Sequence, residues 1–218
     1  MFVLTFILIF LAVGAGCWFS GLWNNVLTLI NVIFAGLIAT SFFEPLADLL
    51  EESMGQYTYW LDMIAVWLLF FVSFGAFRMA TELLSQFRVK FNNIVELVGK
   101  SILSVWIAWV FVCFSMFTMH LSPVEPAAFG GSFQGSPTQT NFIGLGPDRM
   151  WLAFIQSRSM GPFSEFRNWE ILPEYKERVH PDDADSNARV FDSTSEFIIK
   201  YRQRRQAFAD LESELTDN

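Results

Sequence analysis

The stretch VGAGCWFSGLWNN, Val13 to Asn25, closes an apolar run that begins at Met1. It can be the small-residue cleavage site of an exported chain, even a lipoprotein site ending at Cys17, or the bend between two permanent membrane helices. A secretory signal carries a basic leading region, and Met1 to Thr5 has none. A lipoprotein site has Leu three positions before its Cys, where this chain has Gly14. The first charged residue is Glu44, so 43 residues pass without an ionisable side chain. As helix they would measure about 64 Å, against a bilayer core of about 30 Å. The run therefore crosses twice, and Ser20-Gly21 with Asn24-Asn25 is its polar, turn-forming cluster. Bend wins over cut site. Gly14, Ala15 and Gly16 then form a close-packing face near the end of the first helix, and Asn24-Asn25 meet the head groups.

Working outward, two more apolar runs follow. Met63 to Phe77 lies between Asp62 and Arg78, with Tyr57, Tyr59 and Trp60 before it as an interfacial belt and Arg78 reaching for the other surface. Ser101 to Met119 follows Lys100. The expectation is an all-α membrane protein of four transmembrane helices, spanning about 2–19, 25–43, 61–78 and 100–119. The composition agrees: 53% of the 218 residues are hydrophobic and 25 are Phe, concentrated before His120. Small residues four apart recur at Ala35/Ala39, Ala76/Ala80 and Ser104/Ala108. Bundle packing and self-association would use the same faces.

The segment 44–61 holds Glu44, Asp48, Glu51 and Glu52 and no Lys or Arg, so it reads as an acidic loop. The segment after the third run carries Arg78, Arg88 and Lys90, with Lys100 opening the fourth. Positive charge marks cytoplasmic loops, which places that second loop inside and the N-terminus and tail outside the cytoplasm. The part from Arg78 to Phe91 is amphipathic and extends the third helix along the membrane surface.

Beyond the 1–120 membrane region, residues 121–146 form a linker rich in Pro and Gly. Residues 147–218 form a partly helical polar tail. One helix is expected from Pro147-Asp148 to Ser159, closed by Gly161-Pro162, and another from Ser193, which has capping-box spacing to Glu196. Arg202, Arg204 and Arg205 lie opposite a stripe of Phe197, Tyr201, Phe208 and Leu211. The whole chain carries a net charge of −8, which gives no electrostatic footprint for nucleic acid.

Chemistry-bearing patterns are few. His120 and His180 have no companion Cys/His spacing, Cys17 and Cys113 lie in separate apolar runs, and no nucleophile, zinc or phosphate-loop motif is present. The expectation is no catalytic, cofactor or metal residue. Ionisable groups at mid-span would mark an ion or proton path; the runs offer only weakly polar positions, chiefly Asn31, Ser73 and Ser104. Glu96 and Lys100 read as a surface ion pair at (i, i+4) spacing.

A Ser-Gly turn after the first span, a second helix leading to an acidic segment, and a polar loop before a Gly-containing fourth helix make residues 1–120 resemble the colicin V production protein family. Ser20 and Gly21 stand where the family commonly has Arg-Gly, and Gly99 is what remains of its glycine-rich fourth helix. The resemblance implies a non-enzymatic, multi-pass protein of the bacterial inner membrane, linked to toxin production or export and to envelope maintenance. Its partners would be the bilayer, further copies of the chain, and an export or envelope protein docked on the tail. An oligomeric channel or transporter subunit, lined by Asn31, Ser73 and Ser104, is the alternative.

Overall fold

The computed structural model describes residues 2–54, 58–85, 91–123 and 145–159, together with positions 201, 203, 204, 206, 207, 209 and 210. The chain divides into two compact units, Met1–Ser122 and Pro123–Asn218. The first unit holds four helices: α1 (Phe2–Trp18), α2 (Leu22–Met54), α3 (Thr58–Leu84) and α4 (Asn93–Met119). By length and composition α2, α3 and α4 can each cross a membrane, and α1 is a shorter apolar helix.

The turn after α1 lies at Ser20-Gly21. The Ser20 N–H donates back to the Cys17 carbonyl at 3.0 Å, and the Gly21 carbonyl accepts the Asn25 N–H at 3.0 Å to start α2. Few residues suffice because glycine closes the approach without a side chain.

The acidic segment 44–61 is a correction. Residues 44–54 are helix and not a loop: α2 continues through Pro45 to Met54, and 58–61 already belong to α3. Proline removes one helix donor, but Leu46, Ala47, Leu49 and Leu50 keep the local preference helical, and Ala47 is buried against the bundle. At 33 residues, α2 is about 50 Å long. Its last turns, with Glu44, Asp48, Glu51 and Glu52 all exposed, therefore extend past the length of a bilayer core. The third and fourth helices also outrun the expected spans, α3 reaching Leu84 and α4 starting at Asn93. Arg88 and Lys90 lie outside the described residues.

Within this unit α2 packs along α3, α1 rests on α4, and α4 also lies against α2. The backbones of α3 and α4 barely meet. Large rings bridge them instead: Phe70 stacks on Phe114 at 4.7 Å, and Trp67 meets Phe114 edge-on at 5.5 Å. Where backbones do come close, small residues allow it. Ala35, Ala39, Ala65 and Ala108 are fully buried, and a methyl built on Gly14 would sit 3.7 Å from the Ala108 Cβ.

Ala76 and Ala80 are a second correction, since both are exposed. At that end of α3 the side turned to α2 is occupied by Arg78 and Thr81, which rotates the alanines outward. Gly16 likewise faces open space. The outer faces of all four helices carry exposed large apolar residues, among them Leu8, Leu11, Phe34, Phe71, Val105 and Trp106. Such a surface suits lipid rather than water.

In the second unit α5 runs from Pro147 to Ser159. Proline fits the first helical position, where no donor is needed, and the Gly146 carbonyl accepts from the N–H groups of Arg149 and Met150. Trp151 and Leu152 are buried, with Trp151 and Phe154 rings 5.6 Å apart. The seven described positions from Tyr201 to Asp210 are helical, and Tyr201 is buried. Most of the linker expected over 121–146, the expected helix start at Ser193, and Arg202 and Arg205 lie outside the described residues.

Candidate functional site at the turn end of the bundle

The bundle has two unlike ends. The acidic end carries the last turns of α2 and the start of α3. The turn end carries Ser20-Gly21, the end of α3 and the start of α4, and several side-chain hydrogen bonds join helices there.

Gly21 and Gly99, far apart in sequence, belong to one junction. A methyl on Gly99 would lie 2.8 Å from Leu22 Cδ1, and one on Gly21 would lie 3.2 Å from Glu96 Oε1. Both glycines let α4 come against the α1–α2 turn. Glu96 uses that approach: its Oε1 accepts the Leu22 backbone N–H at 2.8 Å. The first N–H groups of a helix have no partner within it, and Gly21 has no side chain to serve them. A carboxylate from another helix takes the capping role, aided by the positive end of the α2 dipole.

The surface pair expected between Glu96 and Lys100 is thus corrected. The carboxylate turns to α2, and the Lys100 ammonium lies over the Trp18 ring, 5.2 Å from its centre. A cation against a ring face is favourable and keeps the charge near the end of the helix.

Asn25 is a further correction: it is fully buried rather than among head groups. Its Nδ2 donates to the Cys17 carbonyl at 3.1 Å, the Lys100 carbonyl at 3.4 Å and Ser104 Oγ at 3.2 Å. One amide therefore joins α1, α2 and α4. Ser104 in turn donates to the Lys100 carbonyl at 2.6 Å. Asn25 Oδ1 is buried without a partner among the described residues.

A second seam joins α2 to α3. Trp23 Nε1 donates to Ser85 Oγ at 2.7 Å, and Asn31 Nδ2 donates to Thr81 Oγ1 at 3.1 Å. Between them Arg78 donates from Nη1 to Thr28 Oγ1 at 3.3 Å and from Nε to Glu82 Oε1 at 2.6 Å. Of the positions expected to matter, the structure brings Gly21, Gly99 and Ser104 to the α1–α2–α4 junction, with Ser20 in the turn itself, and Asn31 to the α2–α3 seam. Ser73 joins neither: it is half-buried on α3 and makes no hydrogen bond among the described residues.

Asn25, Glu96 and the Arg78–Glu82 pair escape a reading by runs. Signals for them exist. Asn25 stands one helical turn after Gly21, on the face that the turn presses to its neighbours, and Arg78 and Glu82 have the (i, i+4) spacing of a helical ion pair.

Among known proteins, the family model described as Colicin V production protein matches residues 2–143. No curated protein and no solved structure matches the chain.

Proposed function

The chain belongs to the colicin V production protein family, and from that premise we propose that it is a non-enzymatic accessory protein of the bacterial inner membrane. That it is a multi-pass membrane protein follows from the family together with the apolar helices. The finer reading makes α1 a fourth crossing. It places the turn end in the cytoplasm and has the tail, outside, dock a component of the export or envelope machinery.

One observation supports a scaffold over a pore. Asn31 and Ser104, which a weakly polar pore would turn to its lining, are buried and bonded to Thr81 and to Asn25. Their polarity holds helices together, as such groups do in lipid. The α1 helix has 17 residues, about 25 Å, which reaches across most of a bilayer core.

Deleting residues 147–218 tests the role of the tail. The expected outcome is normal membrane insertion with loss of colicin V-type toxin secretion or of detergent resistance. Unchanged secretion and resistance in the truncated protein would remove the docking role. Reporter fusions after Gly21, Met54, Lys90 and Asn218 test the topology, and an external signal after Lys90 inverts the orientation. Conductance in reconstituted vesicles that Asn31→Leu abolishes would replace the scaffold with a pore.

A further inference from the structure

The Arg78–Glu82 pair lies one to two helical turns in from the turn end of the bundle. Three contacts set the level of the turn end: Leu22 against Gly99, Gly21 against Glu96, and Trp23 bonded to Ser85. Arg78 precedes Ser85 by seven residues and Thr28 follows Leu22 by six, which places their contact about 10 Å below that level. The guanidinium is held by Thr28 on α2 and by Glu82 one turn nearer the turn end on its own helix.

Ionised groups on membrane helices are costly away from water and persist where they meet a partner. Here the bundle leaves the pair open, with side-chain exposures of 32% for Arg78 and 60% for Glu82. A guanidinium has five N–H donors and a carboxylate two acceptor oxygens. Two guanidinium nitrogens and one carboxylate oxygen are engaged among the described residues, so both groups keep capacity on the open side. Farther from the turn end on the same side, α3 exposes Leu68, Phe71 and Val72, and the Trp23 indole stands at the level of the end itself.

We propose that this pair holds the head group of a zwitterionic ethanolamine phospholipid from the leaflet at the turn end. Arg78 receives the phosphate in charge-assisted hydrogen bonds, and Glu82 receives the ammonium. Cation and anion stand one helical turn apart on a single face, matching a head group whose phosphate and ammonium are joined by two carbons. The lipid chains run along those exposed apolar side chains. A solely anionic lipid would satisfy Arg78 and crowd Glu82, and a neutral one would satisfy neither. The site needs the bundle to sit in a bilayer but does not need the tail to dock a partner, so lipid retention and toxin secretion succeed or fail independently.

The test is native mass spectrometry of the full chain, released from nanodiscs containing equal parts of ethanolamine-headed and glycerol-headed phospholipid. The wild type is expected to retain the ethanolamine lipid preferentially. Glu82→Gln, at an exposed position, should lower that preference about tenfold, as loss of one charge-assisted contact does, and spare the glycerol lipid. Arg78→Gln should lower retention of both. Glu51→Gln, at the other end, should match the wild type. Equal retention of both lipids by the wild type, or an unaltered preference in Glu82→Gln, overturns the proposal. So does a dimer mass that Glu82→Gln abolishes, which would make a second copy of the chain the partner. Should Arg78→Gln not fold, the Glu82→Gln arm decides alone.

Discussion

Two joints of the bundle hold helices together by different means. Toward the acidic end, α3 and α4 meet through rings, with Phe70, Trp67, Phe114 and Phe111 filling a gap that the backbones leave open. On α2 there, Asp48, Glu51 and Glu52 face outward. At the turn end polar groups do the joining, through Glu96 on the α2 N-terminus, Asn25 among three helices, and Thr28, Asn31 and Trp23 along α3. Lipid tails are as apolar as a leucine, so burial gives helices little reason to associate. What remains is close packing or hydrogen bonding, and this chain shows rings between α3 and α4 and polar bonds at the turn end.

The contrast is broken most severely by Phe114→Ala. Phe114 is fully buried, stacked on Phe70 and edge-on to Trp67. Truncating it opens a cavity where no small residue can bring the backbones together. A loss of about 3 kcal/mol is expected, read as a shifted midpoint in mixed-detergent unfolding. A loss no greater than that of an exposed control such as Phe71→Ala would mean that the rings face lipid and do not join the helices.

Asn25→Leu acts on the other half and should cost about 1.5 kcal/mol, from contacts that average about 0.6 each in such bundles. Two features hold the figure down. The carbonyls that Asn25 serves keep other donors, Ser20 N–H for Cys17 and Ser104 Oγ for Lys100. Leucine also removes the unpartnered Oδ1, whose burial is itself unfavourable. Comparable losses for Asn25→Leu and Phe114→Ala, by the same unfolding measurement, would erase the distinction between the two joints.

How far this was legible in the sequence follows the same division. Apolar runs bounded by Ser20-Gly21, Asp62 and Lys100 announce the helices, because length and the absence of charge are local properties. The ends of α2 and α3 are harder. An acidic segment looks like a loop, yet α2 runs on through Pro45, which costs it only one donor, and Arg78 bonds sideways to Thr28. Nothing in a run of residues shows which neighbour lies beside it. The glycines at 21 and 99 stand out by type, but that they frame one junction depends on α4 lying across the turn. Asn25 shows the limit most plainly. An asparagine after a turn looks solvated, and only α4, from a distant part of the chain, turns it into an interior bond.

Smaller changes sharpen the account of the turn. Glu96→Ala removes the acceptor for the Leu22 N–H and should cost about 1 kcal/mol, the usual loss of a helix cap. Glu96→Gln keeps an oxygen in place and should cost less. The loss in Glu96→Gln itself isolates the charge acting on the α2 dipole, a few tenths of a kcal/mol at such sites, and the further loss in Glu96→Ala isolates the oxygen.

The mildest expected effect is that of Gly21→Ala. Its new methyl meets the Glu96 carboxylate at 3.2 Å, and a side-chain oxygen can yield by a fraction of an ångström, so the loss should stay below about 0.5 kcal/mol. The value of the substitution lies in pairing it with Glu96→Ala. If the methyl acts by displacing the carboxylate, it should cost nothing once the carboxylate is gone, and a double-mutant cycle will show coupling equal to the single loss. If the two effects simply add, Gly21 is needed for the backbone of the turn itself. The cap and the turn would then be separate devices that happen to be adjacent.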